Sequence, residues 1–528
     1  MRIPIGDLSQ LGIIKDIRDN MLPANAWTNG QNIRFYDGKV STARGGVRTM
    51  DPPPIAPYWL LYTLDPALDH TWIAAGLNKV YCFQSNAWSD ITRTAGNYAA
   101  IKWNGGNLAG IPILNNGYDM PQYWANISPS TKLVDLANWP TANRCKVMRP
   151  YLNFLVALNT TESGVSYIHR FRWSHPAQPG GIPISWDDTD LTKQAGINEL
   201  TDIQNGQIID GLPLRDQFII YKQRATWGMK FTGGIYVMDI YPIFQTTGAL
   251  SQDCACNFGE PAQHFVFTGE DLIVHDGQNR QSVADKRLRR WIIRNIDTTY
   301  WANSYVVQYA DQNEIWTCIP TLGNRYPNLA IVWNTADSTF GFRNLQNAAF
   351  ITPGVDLSAT VGTTWSSISV TWNTITMQWE QNASTAYSRM LLQADPVDTA
   401  IIRMDETQQY LNANYDCQVE RTGLSIAGTT QSGEPLSNKD VRKLVRGMWI
   451  SASGGPFAVQ VGRQHEIEGA VTWGTSLPFN PGSDIYIGVL DDTGDQACRL
   501  FGLRFSWTGQ NQGEINSIDL DVESLGEW

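Results

Sequence analysis

The chain has 528 residues, which at about 150 residues per domain predicts three to four units, or fewer if all-β units of about 200 to 250 residues are present, and excludes one small domain. Charged residues make up 17% and apolar residues 42%, a balance that excludes a disordered polymer, while 21 Trp, 20 Tyr, 17 Phe and 45 Gly favour strands and tight turns and predict an all-β protein. The net charge of −11 excludes a tight nucleic-acid binder working through a basic surface, yet it suits a channel wall along which DNA slides without sticking.

Residues 1–57 carry little strand signal and end in Asp51, Pro52, Pro53 and Pro54, a stiff segment unfit for a central strand. They read as an arm and linker. From Tyr58 the pattern changes to short apolar runs divided by turn residues, as in TWIAAGLNKVYCFQSNAWSDIT, the signature of an antiparallel meander. Comparable modules recur as NLAGIPILNNGYDMPQYWANI, YLNFLVALN with IHRFRWS, QFIIYKQRATWGMKF with YVMDIYPIF, HFVFTGEDLIVHDG with RWIIRNI, and SYVVQYADQNEIWTCIP with LAIVWNTADSTFGF. A period of roughly 45 to 50 residues predicts a β-propeller of about six blades over residues 58–350, with a pair of β-sandwiches as the alternative. After Pro353 the period breaks. SVTWNTITMQW predicts a hairpin or bulged strand, and GMWISA, FAVQVGR, DIYIGVL, RLFGLRFSW and INSIDLDV predict a C-terminal β-sandwich-like domain over residues 351–528. A helix is expected only around Asn438–Val445, a segment that reads equally as a strand lead-in.

The six histidines, His70, His169, His175, His264, His275 and His465, include no i, i+4 pair, and neither GxSxG nor a P-loop occurs. Cys254, Cys256 and His264 lack a second cysteine pair at zinc spacing, and the acidic groups Asp187, Asp188, Asp190 and Asp491, Asp492, Asp495 fit solvated turns better than calcium loops. The expectation is no catalytic residue, no cofactor and no metal. Seven cysteines, mostly isolated, predict no disulfide framework and a reducing assembly site, and the sequence shows no signal peptide or membrane span. The basic run Lys286, Arg287, Arg289 and Arg290 is a candidate subunit-facing or DNA-facing patch, with a solvated edge as the plain alternative.

Three phrases carry a resemblance. IIKDIRDNMLPANAWTNGQNIRFYDGKVSTARGGV, with Leu22, Pro23, Trp27, Gly38, Gly45 and Gly46, resembles the N-terminal segment of the tail nozzle of short-tailed bacteriophages, also called tail tubular protein B or packaged-DNA stabilisation protein. FRWSHPAQPGGIPISWDDTDLTKQAGINEL (Trp173, Ser174, Trp186, Ala195, Gly196) resembles that family's mid-propeller passage, and Tyr221, Lys222, Trp227, Gly248 and Ala249 continue the series. The resemblance implies a structural virion protein of the phage tail, assembled in the host cytoplasm as a homo-oligomer, a hexameric ring below a portal and adaptor. It further implies contacts with tail fibres or spikes, and packaged double-stranded DNA passing through the lumen without sequence recognition. Within that frame Ile13, Ile14, Ile17 and Leu22 are the expected contacts to the adaptor or a neighbouring copy. The competing function is a propeller-type carbohydrate-binding or glycosidase receptor-binding protein, which clustered exposed Trp would favour.

Overall fold

A computed structural model describes residues 2–65, 69–234, 236–355, 390–430, 434–467, 469–489 and 497–527. Strands form wherever apolar and polar residues alternate or short apolar runs are bracketed by turn residues, and they pair with their sequence neighbours into successive four-stranded antiparallel sheets. Six of these occupy residues 59–90, 104–135, 143–199, 208–244, 255–282 and 305–344. A seventh sheet joins Phe350–Gly354, Met390–Asp395 and Ala400–Met404 to Gly46–Thr49. The first strand of each sheet touches the first strand of the next, and Phe350–Gly354 touches Trp59–Leu64, so the sheets close into a β-propeller.

The structure thus has seven blades where periodicity counted six modules. The seventh escapes a spacing argument because its outermost strand comes from the beginning of the chain. Ile401 pairs with Thr49 and Met404 with Gly46, and the Pro52–Pro54 segment then leads directly into the innermost strand of blade 1. Tryptophan fills the blade seams. Trp72, Trp103, Trp124 and Trp316 are among the largest fully buried side chains; Trp72 of blade 1 donates its indole N–H to the carbonyl of Val355 beside blade 7 at 2.8 Å.

Two six-stranded sheets make the second domain. In one, Ile33–Tyr36, Lys39–Thr42, Gly513–Glu527, Val441–Gly454 and Tyr486–Gly488 lie side by side, with Arg2–Pro4 also paired to Gly513–Glu527. In the other the order is Asn29–Gln31, Cys417–Leu424, Leu500–Trp507, Phe457–Gln464 and Thr472–Trp473, with Leu477–Phe479 on Phe457–Gln464. Phe35, Val40, Val419, Met448, Phe457, Phe505, Ile515 and Leu520 share one buried core, which runs on without a break into blades 4 to 6. The domain is a β-sandwich, and it leans on the outer strand of blade 6, where Ile13 N–H donates to Phe340 O at 3.0 Å and Asn32 N–H to Phe342 O at 2.8 Å.

Several expectations need correction. The expected division into an arm over residues 1–57, a propeller over 58–350 and a C-terminal domain over 351–528 does not hold: residues 2–42 are part of the sandwich, and 46–49 and 390–404 belong to the propeller. The strand signal overlooked at the start is IRFYDGKVST, a hairpin in which Asp37 and Gly38 both take positive φ (49° and 78°), the two-residue turn that Asp-Gly favours. Asn438–Val445 is no helix; Val441–Gly454 is a strand whose burial alternates with period two. Conversely RWIIRN, read as a strand, is the helix Arg289–Asn295. Its start lacks a local cap and is capped from afar, Asp16 accepting from Arg290 N at 2.8 Å and Trp291 N at 3.0 Å. The hairpin expected from SVTWNTITMQW lies outside the described residues.

Candidate functional site

A cleft of ≈720 Å³ lies between blade 6 and the sandwich. The turns of blade 6 supply Asp311 and Asp337 to its walls, and the sandwich hairpin supplies Asp37; Glu514 enters from the long strand Gly513–Glu527. Tyr36 donates its hydroxyl to Glu514 Oε1 at 2.5 Å, and Lys39 lies 3.4 Å from Glu514 Oε2. Burial, and then Glu514 beside it, push the Tyr36 hydroxyl above its ordinary pKa.

The floor is a closed network of four charges. Arg34 from the sandwich donates Nε to Glu314 Oε1 of blade 6 at 2.7 Å and Nη2 to Asp405 Oδ2, just past blade 7, at 2.7 Å. Arg343 of blade 6 reaches the same two carboxylates, Glu314 Oε2 at 3.2 Å and Asp405 Oδ1 at 3.1 Å, and lies over the Trp316 ring at 4.5 Å. Trp316 Nε1 adds a hydrogen bond to Glu314 Oε2 at 2.9 Å. Burial opposes the charge on Glu314, but Arg34 and Arg343 outweigh it and hold the carboxyl down at about 2. For Arg34 burial is likewise outweighed, by Glu314 and Asp405, and its pKa is raised. Every charge at the floor is neutralised within the chain, so the network fixes the sandwich to two blades, while Asp37, Asp311 and Asp337 against the single Arg44 give the cleft a net acidic lip.

A second network ties blades 2 to 5 at their inner strands. Arg149 binds Asp210 through two hydrogen bonds at 2.9 and 2.7 Å, Asp253 at 2.6 Å and the Gly105 carbonyl at 3.3 Å. Between blades 4 and 5 Tyr221 sits against two histidines, its Oη 2.6 Å from His264 Nδ1 and 2.7 Å from His275 Nε2. His264 Nε2 faces the Pro213 carbonyl at 3.1 Å and His275 Nδ1 accepts from Gly277 N at 3.2 Å. These contacts assign a single order: His275 donates to Tyr221, Tyr221 to His264, and His264 to Pro213. Burial lowers the two imidazoles to about 4 and about 3 respectively for His264 and His275.

The sites expected from sequence fall differently. Ile13, Ile14 and Leu22 are buried within the chain's own core and Ile17 packs beside them, so the apolar pattern is spent on internal packing, and the expected docking contacts to an adaptor or neighbour are corrected accordingly. In the basic run Lys286, Arg289 and Arg290 are exposed, while Arg287 is half-buried and engaged by its own chain. The Arg287 carbonyl accepts from Lys15 N and Asp16 N at 2.7 and 3.0 Å, its guanidinium turns to the Ser338 carbonyl of blade 6, and Arg289 faces Asp271 of blade 5 at 3.9 Å. Asp187 and Asp190 each accept from the backbone and hydroxyl of a threonine two residues on, at 2.9 and 2.7 Å in both cases, which is the solvated-turn reading; Asp491, Asp492 and Asp495 lie outside the described residues. Cys254 is bonded to Ser251 and Ser304 rather than gathered with His264, and burial pushes its thiol up to about 12. Among the described residues no group of three or more His, Cys, Asp or Glu is placed to hold a metal ion, and no helix is long and apolar enough to cross a membrane.

Arg34, Glu314, Arg343 and Asp405 escape sequence reasoning because they are dispersed along the chain. The available signal is a lone charge inside an apolar strand, as in IRFY, EIWTCI and FGFRN, which demands a buried partner.

No protein-family model matches the chain, and no curated protein matches it. Among solved structures the WD40 β-propeller domain of Doa1 is similar with a TM-score of 0.35 and 7% identity, over 68% of this chain and 96% of that one. The class defined by the strand pairing is an all-β protein, a β-propeller joined to a β-sandwich.

Proposed function

We propose that this chain is the tail nozzle of a short-tailed bacteriophage: a structural, non-catalytic virion protein that forms a ring beneath the portal and adaptor, retains the packaged genome and conducts DNA outward at infection. One observation carries the reading: the phrases that resemble the nozzle family fall on the residues that join the parts of this fold. The phrase from Ile13 to Val47 supplies sandwich strands and the first half of the strand Gly46–Thr49 that closes the propeller. In the third phrase Gly248 passes so close to blade 4 that a Cβ there would lie 2.0 Å from the Lys222 carbonyl oxygen, and Ala249 N–H bonds that oxygen at 3.0 Å.

A body welded through its N-terminal segment suits a part that bears the pressure of packaged DNA, since load passes between domains without a hinge. The net charge of −11 favours a lumen that does not bind phosphates. Mass photometry of the purified chain, alone and with a portal–adaptor complex of a short-tailed phage, tests the proposal. A discrete ring near six copies on that complex supports it; a monomer indifferent to the complex refutes it.

A further inference from the structure

Lys15, Asn29 and Glu420 stand in one row on the face of the sandwich turned away from its core, and strand pairing sets each of them there. Ile13 bridges Trp27 in parallel, so two residues further on Lys15 runs beside Asn29. Asn29 lies directly opposite Glu420, and Glu420 opposite Arg504, in antiparallel register, which turns these side chains to the same side of the sheet. Lys15 Nζ donates to Asn29 Oδ1 at 2.6 Å, and Asn29 Nδ2 donates to Glu420 Oε2 at 3.2 Å. Arg504 Nε, at 2.6 Å, and Gln418 Nε2 bind the other oxygen, Oε1, so Oε2 is left facing the carboxamide. Lys15 is half-buried and forms no ion pair among the described residues. Burial lowers its pKa against the pull of Glu420 and Asp19.

We propose that Lys15 and Asn29 are joined by an intramolecular isopeptide bond, with Glu420 as the proton carrier for its formation. A lysine becomes a nucleophile when partial desolvation and a neighbouring base strip its proton, and both stand beside Lys15. Glu420 accepts the proton that the Lys15 ammonium gives up. The freed amine attacks Asn29 Cγ, the carbon next to the oxygen it already touches. Nδ2 then takes a proton and leaves with the electron pair of the Cγ–Nδ2 bond. One Nζ–Cγ amide forms, one ammonia departs, and no oxidant or further reactant enters. Asn29 is exposed, which opens the way out for the ammonia. The bond closes residues 15–29 into a covalent loop and staples the N-terminal segment to the sheet edge. Glu420 reaches Asn29 only after Cys417–Leu424 has paired with Asn29–Gln31, so folding precedes linkage. The link does not depend on the nozzle reading.

Mass spectrometry of the purified full chain under denaturing conditions tests it. The expected intact mass is one ammonia below the sequence mass, and proteolysis is expected to release a branched peptide joining residue 15 to residue 29. Lys15→Arg keeps the charge but offers no primary amine, so its mass should show no loss of ammonia. Glu420→Gln should slow formation of the link about 100-fold or more. An intact native mass equal to the sequence mass overturns the proposal. So does ammonia loss that persists in Lys15→Arg, the mark of a succinimide at Asn29–Gly30, and so does a Glu420→Gln chain that links as fast as the native one.

Discussion

Glu314→Gln removes one charge from the floor of the interdomain cleft with almost no change of shape. Arg343, 1% exposed, and Arg34 then share a single carboxylate, Asp405. The carboxyl of Glu314 is held at about 2 against an ordinary 4.5, and at 1.36 kcal/mol per pKa unit that difference corresponds to about 3 kcal/mol, in line with the roughly 3 to 5 kcal/mol lost when a buried pair is broken from one side. Because the folded-state pKa is depressed, the contribution is complete above pH 4.5 and fades as pH falls towards 2. Hydrogen exchange is the suitable assay because it reads local opening. In the variant at pH 7, amides of Ile33–Tyr36 and Glu314–Ile319 should exchange about 100-fold faster or more, while those of blade 3, on the far side of the ring, keep their rates. The difference from the native chain should shrink as the pH is lowered through 4. Equal protection in the two proteins at pH 7 refutes the reasoning, as does a loss spread evenly over all blades.

Further consequences can be measured alongside. Burial keeps His264 and His275 neutral, so their contribution is complete above pH 6.5 and is lost as pH falls towards 4; the blade 4 to 5 seam should lose exchange protection between pH 6.5 and 4.5, and Tyr221→Phe, which removes the hydroxyl bonded to both rings, should cost about 1 to 3 kcal/mol at pH 7 in urea denaturation. Gly248→Ala drives a Cβ to within 2.0 Å of the Lys222 carbonyl oxygen and should lower the melting temperature by several degrees, at a cost of about 1 to 3 kcal/mol or more; an unchanged melting curve would falsify the close packing at that turn. Ile13→Ala empties a fully buried site and should cost about 2 to 5 kcal/mol, with the loss appearing in the isolated protein and needing no partner.

Much of the propeller is legible in the sequence because each blade is built from neighbours. TWIAAGLNKVYCFQSNAWSD spells out three consecutive strands, His70–Ala75, Val80–Gln84 and Ala87–Asp90, whose apolar runs and turn residues interact over short distances. What is illegible depends on distant partners. GGVRT has no mark that sends it to Ile401–Met404 rather than to a loop, and Asn29–Gln31 becomes a strand only because Cys417–Leu424 offers an edge. Asp37-Gly38 is legible as a hairpin turn between the alternating runs IRFY and KVST. The charge network is harder still: four residues from three separate parts of the fold meet at one point, and no local spacing encodes that meeting.

The interleaving of the two ends of the chain bears on how the molecule is made. Residues 2–49 leave the ribosome first, yet their partners are Ile401–Met404 and Gly513–Glu527. Until those segments are made, Arg2–Pro4 and Gly46–Thr49 lack their pairing edges and the hairpin Ile33–Thr42 has only itself, and the propeller closes before the sandwich can. Such remote pairing slows folding and exposes unpaired edges meanwhile. It also makes completion self-certifying. A chain released before Gly513 lacks the strand to which Arg2–Pro4, Lys39–Thr42 and Val441–Gly454 all attach, so the sandwich cannot form in such a product, and any larger assembly that recognises the finished domain would reject it.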